Sequence, residues 1–168
     1  MISDFFIQME YFYYLKTPIG FLKIRTDNQC IKAITFVNNP EKDSEYQPEI
    51  MQKAIQQLKE YFKGNRKEFD LALKPTGTEF QIQTWKEVNK IPFGKTATYL
   101  DIAKKTGSHK NTRAVGAANG KNPIPIIIPC HRIIGTNGKL TGYTGGIGKK
   151  RWLLKHELIH SPQTDMLF

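Results

Sequence analysis

The sequence contains few cysteines, no long apolar run and no basic leader, and each of these absences excludes a class of protein. Only Cys30 and Cys130 occur in 168 residues, which is too few for a disulfide framework. No apolar run approaches the ~20 residues needed to cross a bilayer. Residues 1–6 lack the basic region of a secretory signal. We therefore expect an intracellular protein in a reducing cytoplasm.

Motifs for metals and nucleotides are missing as well. The four histidines show none of the spacings typical of zinc sites, and the sequence has no Cys-x-x-Cys pair. Phosphate-loop and dinucleotide fingerprints are absent, and the acidic residues form no cluster suited to two metal ions. The sequence therefore predicts a protein that needs no metal and no cofactor.

Positive charge is plentiful and unevenly distributed. The net charge is +10, of which residues 1–75 carry +1 and residues 76–168 carry +9. Such asymmetry indicates a polyanionic partner, with nucleic acid the first candidate and an acidic membrane surface the second. A basic surface that only keeps the protein in solution explains the charge equally well.

The first half of the chain has the pattern of an antiparallel meander followed by one helix. Alternating apolar residues predict strands over 11–17, 21–25 and 31–37. From Pro48 the apolar spacing becomes helical, with the stripe Ile50, Ala54, Leu58 and Phe62. A further short strand is predicted over 69–73. Residues 74–78 are the best candidate linker, so we expect an α/β domain at 1–75 and a second domain at 76–168.

The second half is predicted to be mainly helical. Thr78 is placed to cap a helix that ends before Pro92. A short helix over 98–104, a glycine-containing break and a helix over 109–118 capped by Ser108 have the arrangement of a helix-turn-helix. A small hairpin is predicted at 135–138, and a closing helix at 149–158.

Cys130 is the residue whose neighbours suggest chemistry. It lies between an apolar segment and the pair His131-Arg132, so it is a candidate nucleophile whose thiolate nearby cationic groups would favour. A buried structural cysteine is the alternative. His131 is the candidate base, but adjacent side chains of an extended chain point in opposite directions, so contact with Cys130 would need a water or a bent backbone.

Several motifs in the same order resemble the O6-alkylguanine-DNA alkyltransferases. Pro129-Cys130-His131-Arg132 resembles the active-site signature of that family, and the flanking segments resemble its other motifs. These are Asn122-Pro123, Gly142 to Gly146, Thr98 to Ala103, Arg113 to Ala118 and Trp152 to Glu157. The resemblance is dense over about 78–157. It implies a ribonuclease-H-like first domain, which scaffolds a winged-helix-like domain with the helix-turn-helix.

The resemblance also implies a reaction and a set of catalytic residues. Cys130 would accept an alkyl group from O6 of guanine in DNA, with O4 of thymine a second candidate, and the transfer would be irreversible. His131 would remove the thiol proton through a water, and Glu157 would orient His131. Asn122 would hold the turn around the site, and Tyr99 would donate to guanine N3 as guanine leaves.

The remaining implied residues bind DNA and line the base pocket. Arg113 would enter the duplex in place of the flipped nucleotide, since a base in the stack cannot be reached without extrusion. The DNA-contacting set would also comprise Thr98, Tyr99, Ala114, Gly116 and Ala117, whose small residues suit a minor groove ~6 Å wide. The substrate pocket would be lined by Tyr143, Thr144 and Ile133. The partner would be double-stranded DNA containing O6-alkylguanine, bound by a monomer.

Three other functions compete with this interpretation. A winged-helix transcription regulator explains the charge and the helix-turn-helix but gives Cys130 no task. A lesion sensor of the same family would lack the acceptor cysteine. A Cys-His hydrolase would turn over repeatedly and would need an oxyanion hole, for which the sequence shows no candidate.

Overall fold

The computed structural model describes residues 9–162, so the ends of the two predicted domains, 1–8 and 163–168, lie outside the described residues. The strands of the described part are β1 (Tyr11–Thr17), β2 (Gly20–Thr26), β3 (Ile31–Val37), β4 (Ala97–Thr98) and β5 (Ile133–Ile134). The α-helices are α1 (Glu49–Phe62), α2 (Glu79–Val88), α3 (Tyr99–Lys105), α4 (Thr112–Gly120) and α5 (Ile147–His160). Two 3₁₀ turns, His109–Asn111 and Cys130–Arg132, precede α4 and β5.

The first half is the predicted antiparallel meander. The strand order is β1-β2-β3, and Ile24 pairs with Tyr13 on one side and with Ile34 on the other. Alternation places Leu22 and Ile24 on the covered face, where both are fully buried. The β1–β2 turn ends at Gly20, whose φ of 103° is a conformation that favours glycine.

Helix α1 covers the sheet with a stripe that differs from the predicted one. Ala54 and Leu58 are fully buried as expected, but Ile50 and Phe62 are only half-buried. Met51 and Tyr61 are fully buried in their place. In this rotated stripe the hydroxyl of Tyr61 donates to a carboxylate on α5, a contact that hydrophobic periodicity does not reveal.

The strand predicted over 69–73 is wrong. Only Leu73 forms an isolated bridge, to Ile31, whose N–H donates to the Ala72 carbonyl at 2.8 Å. The segment before it is held by a side chain: the Gln57 amide donates to the Asp70 carbonyl at 3.1 Å and accepts from the Asp70 N–H at 2.9 Å. Gln57 therefore satisfies backbone groups that a neighbouring strand would otherwise pair.

The helix-turn-helix forms with shifted ends. Thr78 caps α2 as predicted, and Thr98 lies outside α3 as its N-cap, accepting from the Asp101 N–H at 3.1 Å. Ser108 accepts from Lys110 N–H, but residues 109–111 form a 3₁₀ turn and α4 runs over Thr112–Gly120. The predicted helix 109–118 is therefore wrong at both ends: the 3₁₀ turn moves its start to Thr112, and Asn119, taken as a stop, lies inside α4.

The hairpin predicted at 135–138 is also wrong. Gly135 N–H donates to the Lys139 carbonyl at 2.9 Å, which closes a turn, but no strand is described after it within residues 139–146. The preceding β5 instead pairs in parallel with β4. The closing helix is longer than predicted, since α5 covers Ile147–His160.

A single hydrophobic cluster joins the two halves of the chain. It contains Leu22 and Leu58 from the first half together with Ile127 and Leu153 from the second. A backbone bond also crosses between the halves, from the Ile34 N–H to the Pro123 carbonyl at 2.9 Å. The first half therefore packs directly against the segment that leads to Cys130.

Candidate active site

The segment before Cys130 is a compact loop held by one side chain. The Asn122 amide donates to the Ile128 carbonyl at 2.8 Å, and its oxygen accepts from the Ile124 N–H at 3.0 Å. Ile126 at the tip of the loop has a φ of 74°, which is unusual for a β-branched residue. Such strain persists only where the surroundings impose it, so Asn122 and the buried isoleucines define the approach to Cys130.

Cys130 opens a 3₁₀ turn and its thiol is buried. Its side chain is 2% exposed, and its carbonyl accepts from the Asn119 amide on α4 at 3.2 Å. Burial raises the pKa of the Cys130 thiol to about 11, although a hydrogen bond from Asn122 and the charge of Lys150 act in the opposite direction. The thiol is therefore protonated at neutral pH in the resting protein, because burial outweighs the polar and cationic neighbours that favour the thiolate.

The side chains of His131 and Arg132 both face Glu157. Glu157 is fully buried on α5, and its Oε1 lies 2.6 Å from Nε2 of His131. Arg132 binds both carboxylate oxygens, with Nε and Nη2 each 2.9 Å away. Oε1 also accepts from the Tyr61 hydroxyl at 2.8 Å, and Oε2 from the Gly94 N–H at 3.1 Å.

These contacts determine the charge of the carboxylate. Burial alone raises the pKa of Glu157, but the hydrogen bonds from His131 and Arg132 and the charge of Arg132 outweigh it, so the pKa lies well below its ordinary value. Glu157 is thus an ion at neutral pH, held in a bidentate pair with Arg132.

His131 is oriented by Glu157 and stays neutral. Its backbone lies in the 3₁₀ turn, so the chain at Cys130 and His131 is bent and not extended. Burial lowers the pKa of His131, and the interaction with Glu157 offsets only part of that effect. A neutral ring that donates from Nε2 to Glu157 leaves Nδ1 as an acceptor. Nδ1 is buried and has no partner among residues 9–162, so it is free to take a proton.

A cavity of about 590 Å³ lies between the helix-turn-helix and the loop before α5. Several of the residues predicted for DNA and base binding line it, together with residues that were not predicted. The lining residues are Tyr99, Thr112, Arg113, Gly116, Asn119, Gly120, Thr141, Gly142, Tyr143 and Thr144.

One of the lining residues connects this cavity to Cys130, and another carries a buried polar group. Asn119 lines it and donates to the Cys130 carbonyl. Tyr143 has a buried hydroxyl without a partner in the described part of the chain. Burial raises the pKa of Tyr143 well above its ordinary value, so this hydroxyl keeps its proton.

The other predicted residues are distributed around the cavity. Arg113, Ala114 and Ala117 are exposed on α4, and Gly116 faces the Tyr99 ring. Thr98 caps α3 beside them. Ile133 is fully buried in β5 and does not line the cavity, so the assignment of Ile133 to the pocket stays a prediction.

Four residues near the site were not predicted from the sequence to take part in it. Arg132 lies within the four-residue motif, and its position beside His131 was the available signal. Asn119 was assigned to a helix stop. Tyr61 and Lys150 are polar residues that are fully buried, Tyr61 comes from the first half of the chain, and their sequence neighbourhoods contain no signal for either contact.

The exposed face of the helix-turn-helix is basic. Lys104, Lys105 and Lys110 are exposed beside Arg113, and Lys121 follows α4. Such a face suits the phosphates of a nucleic acid. Within residues 9–162 no helix has the length and apolarity of a membrane span.

Comparison with known families gives two matches that together extend over most of the chain. The ribonuclease-like domain of 6-O-methylguanine DNA methyltransferase matches residues 10–75, and the DNA-binding domain of the same family matches residues 79–159. The chain belongs to the 6-O-methylguanine DNA methyltransferase family. The resemblance stated from the motifs is thereby confirmed.

Individual members of this family are similar along nearly the whole chain. A methylated-DNA–protein-cysteine methyltransferase of Methanosarcina acetivorans is 45% identical over 152 residues, which are 88% of this chain and 97% of the relative. The crystal structure of a Mycobacterium tuberculosis O6-methylguanine methyltransferase is 38% identical, with a TM-score of 0.83 over 92% of this chain and 96% of that one.

A DNA complex is also among the similar structures. Mycobacterium tuberculosis OGT in complex with DNA is 40% identical, with a TM-score of 0.80 over 90% of this chain and 95% of that chain. The predicted fold class, a ribonuclease-like antiparallel α/β half followed by a helical DNA-binding half, is confirmed by these matches.

Proposed function

We propose that this protein repairs DNA by transferring an alkyl group, typically methyl, from O6 of guanine to Cys130. The observation that carries the proposal is the buried Cys130 beside an oriented His131–Glu157 pair, under a cavity bounded by a basic helix-turn-helix. The names of the relatives, which are methylated-DNA–protein-cysteine methyltransferases, support the same reaction.

The first step is removal of the thiol proton. A thiol with a pKa of about 11 is almost entirely protonated at neutral pH, so a base must act as the reaction proceeds. His131 takes the proton at Nδ1 through a bridging water. The positive charge that forms on the ring is stabilised by Glu157 at 2.6 Å.

The second step is the transfer itself. The Cys130 sulfur forms a bond to the alkyl carbon, and the bond between that carbon and guanine O6 breaks. The electron pair of the broken bond goes to the guanine ring, where Tyr99 donates to N3 as negative charge develops. The thiol proton reaches the guanine through His131 and solvent, so the products are an unmodified guanine and a thioether at Cys130.

The reaction happens once per molecule. A thioether is not activated towards water as the thioester of a cysteine hydrolase is, so the thiol is not regenerated. The protein is consumed as a reactant, and its repair capacity equals its copy number.

DNA binding is assigned to the helix-turn-helix. We assign α4 to the minor groove, because the small residues Ala114, Gly116 and Ala117 allow the helix to approach a narrow groove closely. Arg113 is exposed at the rim of the cavity, where its side chain can fill the gap left by a flipped nucleotide. Thr98 and Tyr99 contact the DNA beside it, and Tyr143 and Thr144 form the wall that holds the base.

The domain division is part of the proposal. We place the boundary at 75/76, inside the stretch 74–78 that contains no helix or strand. The first domain supports the second through Tyr61 and Ile34. The Tyr61 hydroxyl donates to Glu157, and the Ile34 N–H donates to the Pro123 carbonyl.

The compartment and the oligomeric state are also part of the proposal. Both cysteines are free, which supports a reducing cytoplasm as the working compartment. The protein is proposed to be a monomer, and light scattering after gel filtration tests this.

The decisive experiment is an intact-mass measurement. The protein is incubated with an excess of duplex containing O6-methylguanine, and we expect a mass increase of one methyl group in place of one hydrogen, mapping to Cys130. Cys130→Ser serves as the control and should remain unmodified. A regulator would bind by operator sequence without a mass change, and either that result or a methyl group on Cys30 would contradict the proposal.

A further inference from the structure

Tyr99 contacts two other segments: its ring packs against α4, and its hydroxyl forms a hydrogen bond with the loop before α5. The ring lies against Gly116 of α4, where a Cβ at the glycine would be 3.8 Å from Tyr99 Cδ1. The phenol oxygen accepts a hydrogen bond of 3.0 Å from the Thr141 hydroxyl, which comes from the loop before α5. Tyr99 and Thr141 both line the cavity between the helix-turn-helix and this loop.

The direction of this bond determines what the phenol can do. A tyrosine oxygen has one hydrogen and two acceptor lone pairs. When a lone pair accepts from Thr141, the phenol hydrogen is left to donate elsewhere. A hydroxyl that accepts one hydrogen bond is also a stronger donor of the next, because bonds in a chain polarise one another.

The position of Thr141 is itself determined by a buried lysine. The Lys150 ammonium on α5 is fully buried and donates to the Thr141 carbonyl at 2.9 Å. A buried charge needs its partner, since leaving it unpaired is costly. Lys150 therefore holds the backbone of Thr141, and through it the hydroxyl that faces Tyr99.

We infer that Thr141 is a positioning residue for the alkyl transfer, which acts by directing and strengthening the Tyr99 phenol as a donor to the departing guanine. The inference rests on the proposed function. Thr141 does not touch the reacting atoms, and its contribution passes entirely through the Tyr99 oxygen. A guanine in the cavity excludes water, which leaves Thr141 as the partner of that oxygen during transfer.

The test compares single-turnover rates of methyl transfer from an O6-methylguanine duplex at saturating protein. Thr141→Val removes the hydroxyl at nearly constant shape and should slow transfer about three- to tenfold, the effect of one hydrogen bond. Thr141→Ser keeps the hydroxyl and should restore the rate. Thr136→Val, on the exposed turn at 135–138, is the matched control and should react at the parental rate.

A double-mutant cycle distinguishes positioning from a merely structural effect. Thr141→Val should have no further effect in a Tyr99→Phe background, and its affinity for undamaged duplex should equal that of the parent. Parental rates for Thr141→Val, or an equal loss with and without the phenol, would overturn the inference. Failure of the parent protein to accept a methyl group at Cys130 would overturn the proposed function instead.

Discussion

The hydroxyl of Tyr61 links the first half of the chain to the carboxylate of Glu157, and its removal should destabilise the protein. Both side chains are fully buried, and the oxygens lie 2.8 Å apart. Burial, followed by the charge of Glu157, raises the pKa of Tyr61 well above its ordinary value, so the hydroxyl keeps its proton and donates. Tyr61→Phe deletes that donor and leaves the ring in place.

The magnitude follows from the chemistry of the pair. A hydrogen bond to a charged group contributes about 1.5–3 kcal/mol. His131, Arg132 and the Gly94 N–H still bind the carboxylate in the variant, so we expect the lower part of that range, about 1.5–2 kcal/mol. For a chain of this size the melting temperature should fall by about 3–8 °C.

The assay is urea unfolding followed by circular dichroism, with thermal melts in parallel. The transition midpoint should fall while its slope stays constant, since the variant exposes the same surface on unfolding. Tyr143→Phe is the matched control, because the Tyr143 hydroxyl is buried without a partner among residues 9–162. Its loss should leave the protein at least as stable as the parent, because a buried hydroxyl without a partner costs free energy in the folded state. Equal losses in both variants, or no loss in Tyr61→Phe, would refute the reasoning.

Three other predictions concern charge, base flipping and pH. Affinity for undamaged duplex should fall as salt rises, because neutralised phosphates release counterions; an affinity measured by fluorescence anisotropy that does not respond to salt would contradict this. Arg113→Ala should slow repair of duplex lesions far more than reaction with free O6-alkylguanine, as measured by mass spectrometry, and equal losses would exclude a flipping role. The pKa of Glu157 is lower in the folded protein than its ordinary 4.5, so its stabilising contribution is complete above about pH 4.5 and is lost as pH falls towards the folded value. Acid unfolding should therefore be less steep in Glu157→Gln than in the parent, and identical acid limbs would contradict the assigned shift.

The elements that the sequence predicts well are those formed by neighbours along the chain. Strands β1 to β3 follow from alternation over seven residues each, and the start of α2 follows from Thr78 with Gln81 three positions later. The motif around Cys130 could be recognised as part of a family for a similar reason, since Cys130, His131 and Arg132 are consecutive.

Elements that depend on distant partners were predicted less well. The segment 69–73 has the alternation of a strand, but Gln57 bonds its backbone and only Leu73 pairs. The turn at 135–138 looked like a hairpin because the parallel partner of β5 lies far away, in β4. In each case the backbone groups bond to a side chain or strand that is distant in sequence, whereas the local pattern predicted that they would pair with a neighbouring strand.

The sequence by itself determined the fold class, the acceptor motif and the basic character of the DNA-binding half, because periodicity, composition and contiguous motifs are local properties. Only the tertiary structure decided the protonation of the site. It brings Tyr61 to Glu157 across 96 positions and turns Arg132 towards the same carboxylate. Burial then keeps the thiol protonated and His131 neutral. Desolvation and long-range hydrogen bonds between buried polar groups depend on what surrounds a residue in space, and the spacing of residues along the chain does not record it.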